Sequence, residues 1–138
     1  MKASARMRFA ALRATRELAD CSDKEIRSLL GSVDEIRLPT GTGVTLAGRY
    51  CTELVLVMEG TLQAVANGTA RRLGPGDSLG WAAMWDRSFN AATVVAESDV
   101  RLLVVGRSQF RAFKAVADRK PMDFWSSPLP VPQWEQVS

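Results

Sequence analysis

Two stretches of the sequence place residues where they could act on a ligand. The first is Leu73-Gly74-Pro75-Gly76-Asp77-Ser78-Leu79-Gly80; the second, ten residues on, is Asn90-Ala91-Ala92-Thr93-Val94-Val95-Ala96. The first reads as a tight turn and a short strand leading into a glycine at the mouth of a short helix. The second opens a strand. Backbone N–H groups of Gly80, Trp81, Ala82 and Ala83, gathered at a helix start, suit an anion. Asn90 offers an amide that can hydrogen-bond a phosphate oxygen but brings no charge to balance it. Arg87, three residues earlier, has two readings: a guanidinium that swings into the site, or a solvated charge on a loop. Trp81 and Trp85 are spaced i, i+4 and share one face of the short helix. They either fill the space beside the loop as core or make an aromatic wall for a flat ligand.

Missing residue types narrow the chemistry. Histidine is absent, which removes His-ligated zinc, Ser-His and Cys-His dyads and His general bases. No paired carboxylates stand out. Cys21 and Cys51 have no metal-binding spacing and form no C-x-x-C; they read as two reduced thiols, with a disulfide between them left open. Gly41-Thr42-Gly43 is too short for a dinucleotide fingerprint and no helix follows it. Asp77 closes a Gly-Pro-Gly turn, which makes it a turn residue rather than a catalyst. The chain is therefore expected to have no catalytic residue, no metal and no cofactor.

With 138 residues the chain is one domain by length, with enough sequence to bury a sizeable core. The net charge is +3, and Lys2, Arg6, Arg8, Arg13 and Arg16 all precede the first acid, Glu17. This cluster reads as a solvated helix face or a loose arm; a nucleic-acid arm, a membrane-surface helix and a targeting peptide are the other readings. No apolar run is long enough to span a bilayer, and no apolar segment of the secretory type follows the early charges.

The elements that must position the loop can be read along the chain. Met7, Ala11, Ala14 and Leu18 recur at helical spacing, which predicts a helix over 7–19. Ser22-Asp23-Lys24-Glu25 is a capping box, Ile26, Leu29 and Leu30 make one apolar face, and Gly31 is the expected stop. Strands are expected around Val33 to Leu38, Val44 to Ala47, Leu54 to Met58, Thr61 to Ala66, Ala70 to Leu73, Thr93 to Ala96 and Val100 to Val105. Leu54 to Met58 is continuously apolar, as in a strand buried on both sides or deep in a barrel. Asn67-Gly68 is a hairpin signal. Short strands with regular turns point to a β-sandwich or β-roll. Residues 107–118 return to helix, with Ser108 as the expected cap, Phe110, Phe113, Val116 and Ala117 as the apolar face, and Pro121 as the end. The segment 121–138 carries Pro128, Pro130, Pro132, Trp125 and Trp134. It reads as an extended, polyproline-like tail that either straps its own domain or binds a partner.

From about Leu18 to about Val116 this order of elements resembles the cyclic-nucleotide-binding domain family. Ser22 to Leu30 looks like the family's first helix, and Gly48 like the glycine it places before its apolar strand. Met58-Glu59-Gly60 resembles its hydrophobic–polar–glycine turn. Leu73-Gly74-Pro75-Gly76-Asp77 with Gly80 looks like the start of its phosphate-binding cassette, and Ala91-Ala92-Thr93-Val94 like the end. The implied fold is mainly β with flanking helices: a jelly-roll-like β-roll of about eight antiparallel strands, with N-terminal helices and one C-terminal helix. The implied division is a basic helix over 1–20, the roll over 21–120 and a Pro/Trp-rich tail over 121–138.

The resemblance also exposes two departures. Where the family follows the cassette glycine with a glutamate that accepts from the ribose 2′-hydroxyl, this chain has Trp81. An indole offers one donor and no acceptor. Where the family places an arginine on the cyclic phosphate, this chain has Asn90. Losing one charged contact of that kind costs about 2–5 kcal/mol of binding. The expected function is thus a non-catalytic regulatory or interaction module, unable to bind cyclic AMP or cyclic GMP in the usual way. Its vestigial cassette would comprise Gly80, Trp81, Ala82, Ala83, Arg87, Asn90, Ala91 and Ala92. The alternative is a small-molecule sensor that binds a cyclic nucleotide weakly, or a different ligand in a remodelled pocket.

In the family, the helix after the roll often mediates dimers or transmits the signal. Phe110 and Phe113 are therefore the candidate interface, and the expected partner is another protein or a second copy, met through that helix or the tail. Bacterial transcription regulators of the family continue into a helix-turn-helix domain. Only eighteen residues follow Lys120, so no sequence-specific DNA binding is expected by that route, while the basic N-terminus leaves weak nonspecific binding open. The resemblance implies a cytoplasmic, bacterial setting away from membranes.

Overall fold

The computed structural model describes residues 3–117 and Pro121. Within them run eight strands: β1 Asp34–Leu38, β2 Gly43–Thr45, β3 Glu53–Glu59, β4 Leu62–Ala66, β5 Thr69–Leu73, β6 Ser78–Leu79, β7 Thr93–Ala96 and β8 Val100–Gly106. The α-helices among the described residues are α1 Ala3–Ala14, α2 Asp23–Ser28, α3 Trp81–Asp86 and α4 Arg107–Val116. Two four-stranded antiparallel sheets form, ordered β1-β8-β3-β6 and β2-β7-β4-β5. Early strands pair with late ones, so the chain winds as a jelly roll with helices on the outer side of the first sheet, which is the fold the sequence implies.

Strand alternation explains why the first sheet carries helices. Successive side chains point to opposite faces. In β3, Val55 and Val57 face the second sheet, where they meet Leu62, Ala64, Val94 and Ala96. Leu54 and Leu56 face the other way and join Leu12, Ile26, Leu29, Phe110 and Phe113 from the helices. β8 does the same, with Leu102 inward and Leu103 and Val105 outward. The apolar run of β3 is therefore one strand serving two cores. In β4, by contrast, Leu62, Ala64 and Ala66 are buried while Gln63 and Val65 are exposed, because solvent lies behind the second sheet. The β4–β5 turn is Asn67-Gly68, both with positive φ (52° and 76°), the type I′ geometry that two-residue hairpins prefer.

Several boundaries differ from the sequence expectation. α1 begins at Ala3 and ends at Ala14 rather than spanning 7–19. Thr15 is extended, its Oγ1 donates to the Ala11 carbonyl at 2.8 Å, and the Arg16 N–H donates to the Gly76 carbonyl at 3.1 Å instead of continuing the helix. A contact sixty residues away thus interrupts a local pattern, and Arg16–Leu18 forms only a 3-10 turn. The Ser22 capping box is present in both directions, but α2 stops at Leu29, and Gly31 lies inside a following 3-10 turn rather than at a left-handed cap. α4 starts after Gly106; Ser108 lies within its first turn, and its hydroxyl bonds Gln109 Oε1. Cys21 and Cys51 are not bridged to each other.

Residues 3–20 pack onto the roll. Leu12 and Leu18 are fully buried in the helix-side core. Arg13 donates to the carbonyls of Leu18, Ala19 and Cys21 and pairs with Asp23, while Arg16 pairs with Asp77 at 2.8 Å. Of the early charges, Lys2 lies outside the described residues, as does the tail beyond Pro121. No helix among the described residues is long and apolar enough to cross a membrane.

A β-bulge between Val57 and Glu59 ends the β3–β8 ladder and delivers Gly60 into the tightest approach in the roll. Its φ is +84°, and a Cβ there would lie 2.3 Å from the Asp99 carbonyl oxygen. Alanine meets both left-handed strain and a backbone clash. Gly60→Ala is expected to lower stability by about 2 kcal/mol or more, read as a fall in the urea midpoint at unchanged slope.

Candidate functional site

The loop that could take an anion is built from the end of β5, β6 and α3. At its entrance, Asp77 closes the Gly74–Asp77 turn: its N–H donates to the Gly74 carbonyl, its Oδ2 accepts from the Gly74 N–H at 2.9 Å, and its Oδ1 pairs with Arg16. Its role is that of a turn residue. Gly80 follows β6 in a left-handed conformation (φ +103°), where a Cβ would approach the Glu53 carbonyl oxygen to 3.0 Å. This turn starts α3, whose first bond runs from the Met84 N–H to the Gly80 carbonyl. α3 is six residues long and ends at Arg87, which is exposed and itself left-handed (φ +53°). The chain then returns through Asn90, Ala91 and Ala92 to β7.

Gly80, Ala83, Asn90, Ala91 and Ala92 converge around one hollow, completed by Leu79 and Thr45. Its free volume is about 10 Å³, room for a water molecule at most. Among its lining residues none is charged. Thr45 was not legible as a site residue, because only the β2–β7 pairing brings it there; its Oγ1 donates to the Ala92 carbonyl at 2.8 Å. Asn90 braces the loop before β3 rather than facing an anion. Its Nδ2 donates to the Leu46 carbonyl at 3.3 Å, its N–H to the Arg49 carbonyl, and its carbonyl accepts from Gly48.

Trp81, Ala82 and Arg87 do not line the hollow. Trp81 is fully buried, but in the helix-side core: its ring lies 6.0 Å from those of Phe110 and Phe113. The indole is a core residue and not an aromatic wall of the hollow, and the core that it fills is the helix-side one. The indole turns its back on the cassette because the outward face of the sheet and α4 supply its apolar neighbours. Its Nε1 donates to Ser78 Oγ at 2.7 Å, and the Ser78 hydroxyl donates to the Glu17 carboxylate. Trp85 is half-buried against Phe110 at 6.3 Å, with the Lys114 ammonium 5.0 Å from its ring. Phe110 and Phe113 are 4% and 0% exposed, so the interface expected of them is occupied by the chain's own tryptophans.

Burial pushes the Glu17 carboxyl above the ordinary carboxylate range, opposed in part by its hydrogen bond from Ser78. Glu35 shifts the other way. The Arg101 guanidinium hydrogen-bonds it at 2.7 Å and holds its carboxyl below the ordinary range. Arg101 also reaches Glu59 at 3.0 Å, which ties β1, β8 and β3 together. Among the described residues no group of His, Cys, Asp or Glu could hold a metal ion.

Comparison with known proteins agrees with the fold. The family model of the cyclic nucleotide-binding domain matches residues 35–115. The chain belongs to that family. Structures with the same fold include cAMP-bound PfPKA-R, at 18% identity and a TM-score of 0.75 over 83% of this chain and 41% of that one. Another is the regulatory domain of Toxoplasma gondii PKA with cAMP, at 24% identity and a TM-score of 0.73 over 86% of this chain and 48% of that one. A third is PKAR CBD2 bound to Sp-2Cl-cAMPS, at 18% identity and a TM-score of 0.72, covering 82% and 76%. This domain thus spans less than half of the first two chains. The sequence matches none of the curated proteins compared with it.

Two outcomes follow from the Trp81–Ser78–Glu17 chain. Trp81→Ala should cost about 3–5 kcal/mol of stability, the range for a buried aromatic truncated in a packed core, as measured by urea unfolding. Glu17 has a folded-state pKa above its unfolded value of 4.5. Its contribution is therefore complete below that pH and is lost as the pH rises through the raised value. Glu17→Gln should flatten this limb, so that the wild type loses stability relative to the variant between mildly acid and neutral pH. Parallel midpoints across that range would show that Glu17 is ordinarily ionised in the fold.

Proposed function

We propose that this chain is a non-catalytic regulatory module whose phosphate-binding cassette does not hold cyclic AMP or cyclic GMP. The observation that supports this most directly is the cassette hollow. It has about 10 Å³ of free space and no charged group on its walls, in the place where the resemblance sets a glutamate and an arginine. Trp81 sits at the glutamate's position and faces the helices. Asn90 sits at the arginine's position and is engaged with Leu46. Arg87 is exposed beyond the end of α3 and does not line the hollow. Two solved structures with this fold are described with cAMP, and on this reading Trp81 and Asn90 are the residues that would set the present chain apart from them.

The family's regulatory role and the absence of histidine both favour a module that acts without catalysis, and the composition suits an aqueous, cytoplasmic setting. Output by protein contact, to a partner or a second copy, has to use side chains other than Phe110 and Phe113, which the core has taken. The exposed side of α4 carries Ser108, Gln109, Arg111, Lys114 and Ala115 and remains available within the described chain.

Calorimetric titration with cyclic AMP and cyclic GMP tests the reading. No saturable heat is expected up to about 1 mM ligand, a binding free energy weaker than about 4 kcal/mol. Micromolar binding of either nucleotide would overturn it and make the protein a cyclic-nucleotide sensor.

A further inference from the structure

We propose that the open end of the roll, beside the closed cassette, binds a small organic cation with an apolar body. The hollow there has a free volume of about 260 Å³, the space of about nine waters. It shares Thr45 and Asn90 with the cassette hollow. Its apolar wall comes from Ile36 and Leu38 of β1, Val44 of β2, Val55 of β3 and Val104 of β8. Ile36, Val44 and Val104 belong to the edge of the inter-sheet core but remain only half-buried, so aliphatic surface is left facing an opening.

The polar side of this hollow has one sign. Glu53 is the first residue of β3, and strand alternation puts it on the same face as Val55 and Val57, which look into the roll. An acid on that face departs from the pattern of the strand. Directly across the ladder stands Gly106, whose place for a side chain is approached by the Gln109 carboxamide oxygen, a further acceptor on this face. No described residue gives the Glu53 carboxylate a hydrogen bond or an ion pair. Beside it, Thr45 has committed its hydroxyl proton to the Ala92 carbonyl and presents lone pairs. Asn90 directs its Nδ2 to Leu46, leaving Oδ1 as an acceptor. None of the lining residues is cationic. A carboxylate with acceptors around it repels a phosphate and receives an ammonium, while the five aliphatic side chains cover the ligand's body. This inference goes beyond the proposed function and does not depend on it, since the two hollows are separate tests of the same loop.

The test uses the full chain with three probes of one shape: benzylammonium, benzyl alcohol and benzoate. Binding is followed by calorimetry and by the methyl NMR signals of Val44 and Val104. Benzylammonium should saturate and shift those methyls, bind about tenfold more tightly than benzyl alcohol, and weaken at high salt. Benzoate should not bind. Glu53→Gln, an exposed substitution, should lower benzylammonium affinity about tenfold and leave benzyl alcohol unchanged. Val104→Phe, which fills the hollow, should weaken both. The proposal is overturned if none of the probes saturates, if benzoate binds as well as benzylammonium, or if Glu53→Gln changes nothing. Cyclic-nucleotide binding in the same calorimeter would instead overturn the reading of the cassette and leave the cation site standing.

Discussion

The sheet β1-β8-β3-β6 is apolar on both faces, and each face needs its own cover. Burial of large side chains such as Leu54, Leu56, Leu103 and Val105 supplies about 1.5–3 kcal/mol apiece relative to exposure, so neither face can be left to water. The second sheet covers one side. The other is closed by α1, α2, α3 and α4 together, and no one of these helices is long enough to do it alone. The N-terminal segment is therefore part of the domain rather than an appendage, and its arginines act as latches to carbonyls and to Asp23 and Asp77.

That requirement reaches into the cassette. α3 is both the wall of the anion loop and one of the covers of the helix-side core. Trp81, its first residue, is claimed by the cover. Phe110, Phe113, Ser78 and Glu17 give the indole apolar contact on its faces and an acceptor at its nitrogen. A carboxylate at this position would have no comparable partner there and would have to turn to the ligand side. Trp81 thus serves packing, while the small residues Gly80, Ala83, Ala91 and Ala92 draw close around a hollow of about 10 Å³. Arg87 and Asn90 follow the same logic: one terminates α3 in solvent, the other ties the β2–β3 connection to the loop.

Charge is distributed in a way consistent with this division. Glu35, Arg101 and Glu59 form a half-exposed network across three strands, worth little singly at a surface but fixing register where the β-bulge begins. Glu17 is a carboxylate half-withdrawn from water behind the cassette, shifted in the opposite direction from Glu35.

Much of this was legible in the residues themselves. The alternation in β4, the two-faced run of β3, the Ser22 capping box and the Asn67-Gly68 turn are local properties, decided by side-chain period and backbone preference over a few residues. So was the family resemblance carried by the order of elements, which the family model matches over residues 35–115. What the sequence could not decide was which neighbour each face would meet. The break of α1 at Thr15, the direction of Trp81, the burial of Phe110 and Phe113, the arrival of Thr45 beside Ala92 and the inward-facing Glu53 all depend on partners distant along the chain. Glu17 and Ser78 are sixty-one residues apart in sequence, and their hydrogen bond exists only because two sheets and four helices bring them together. Periodicity determines that a side chain has an inside and an outside; only closure of the roll determines what the inside contains.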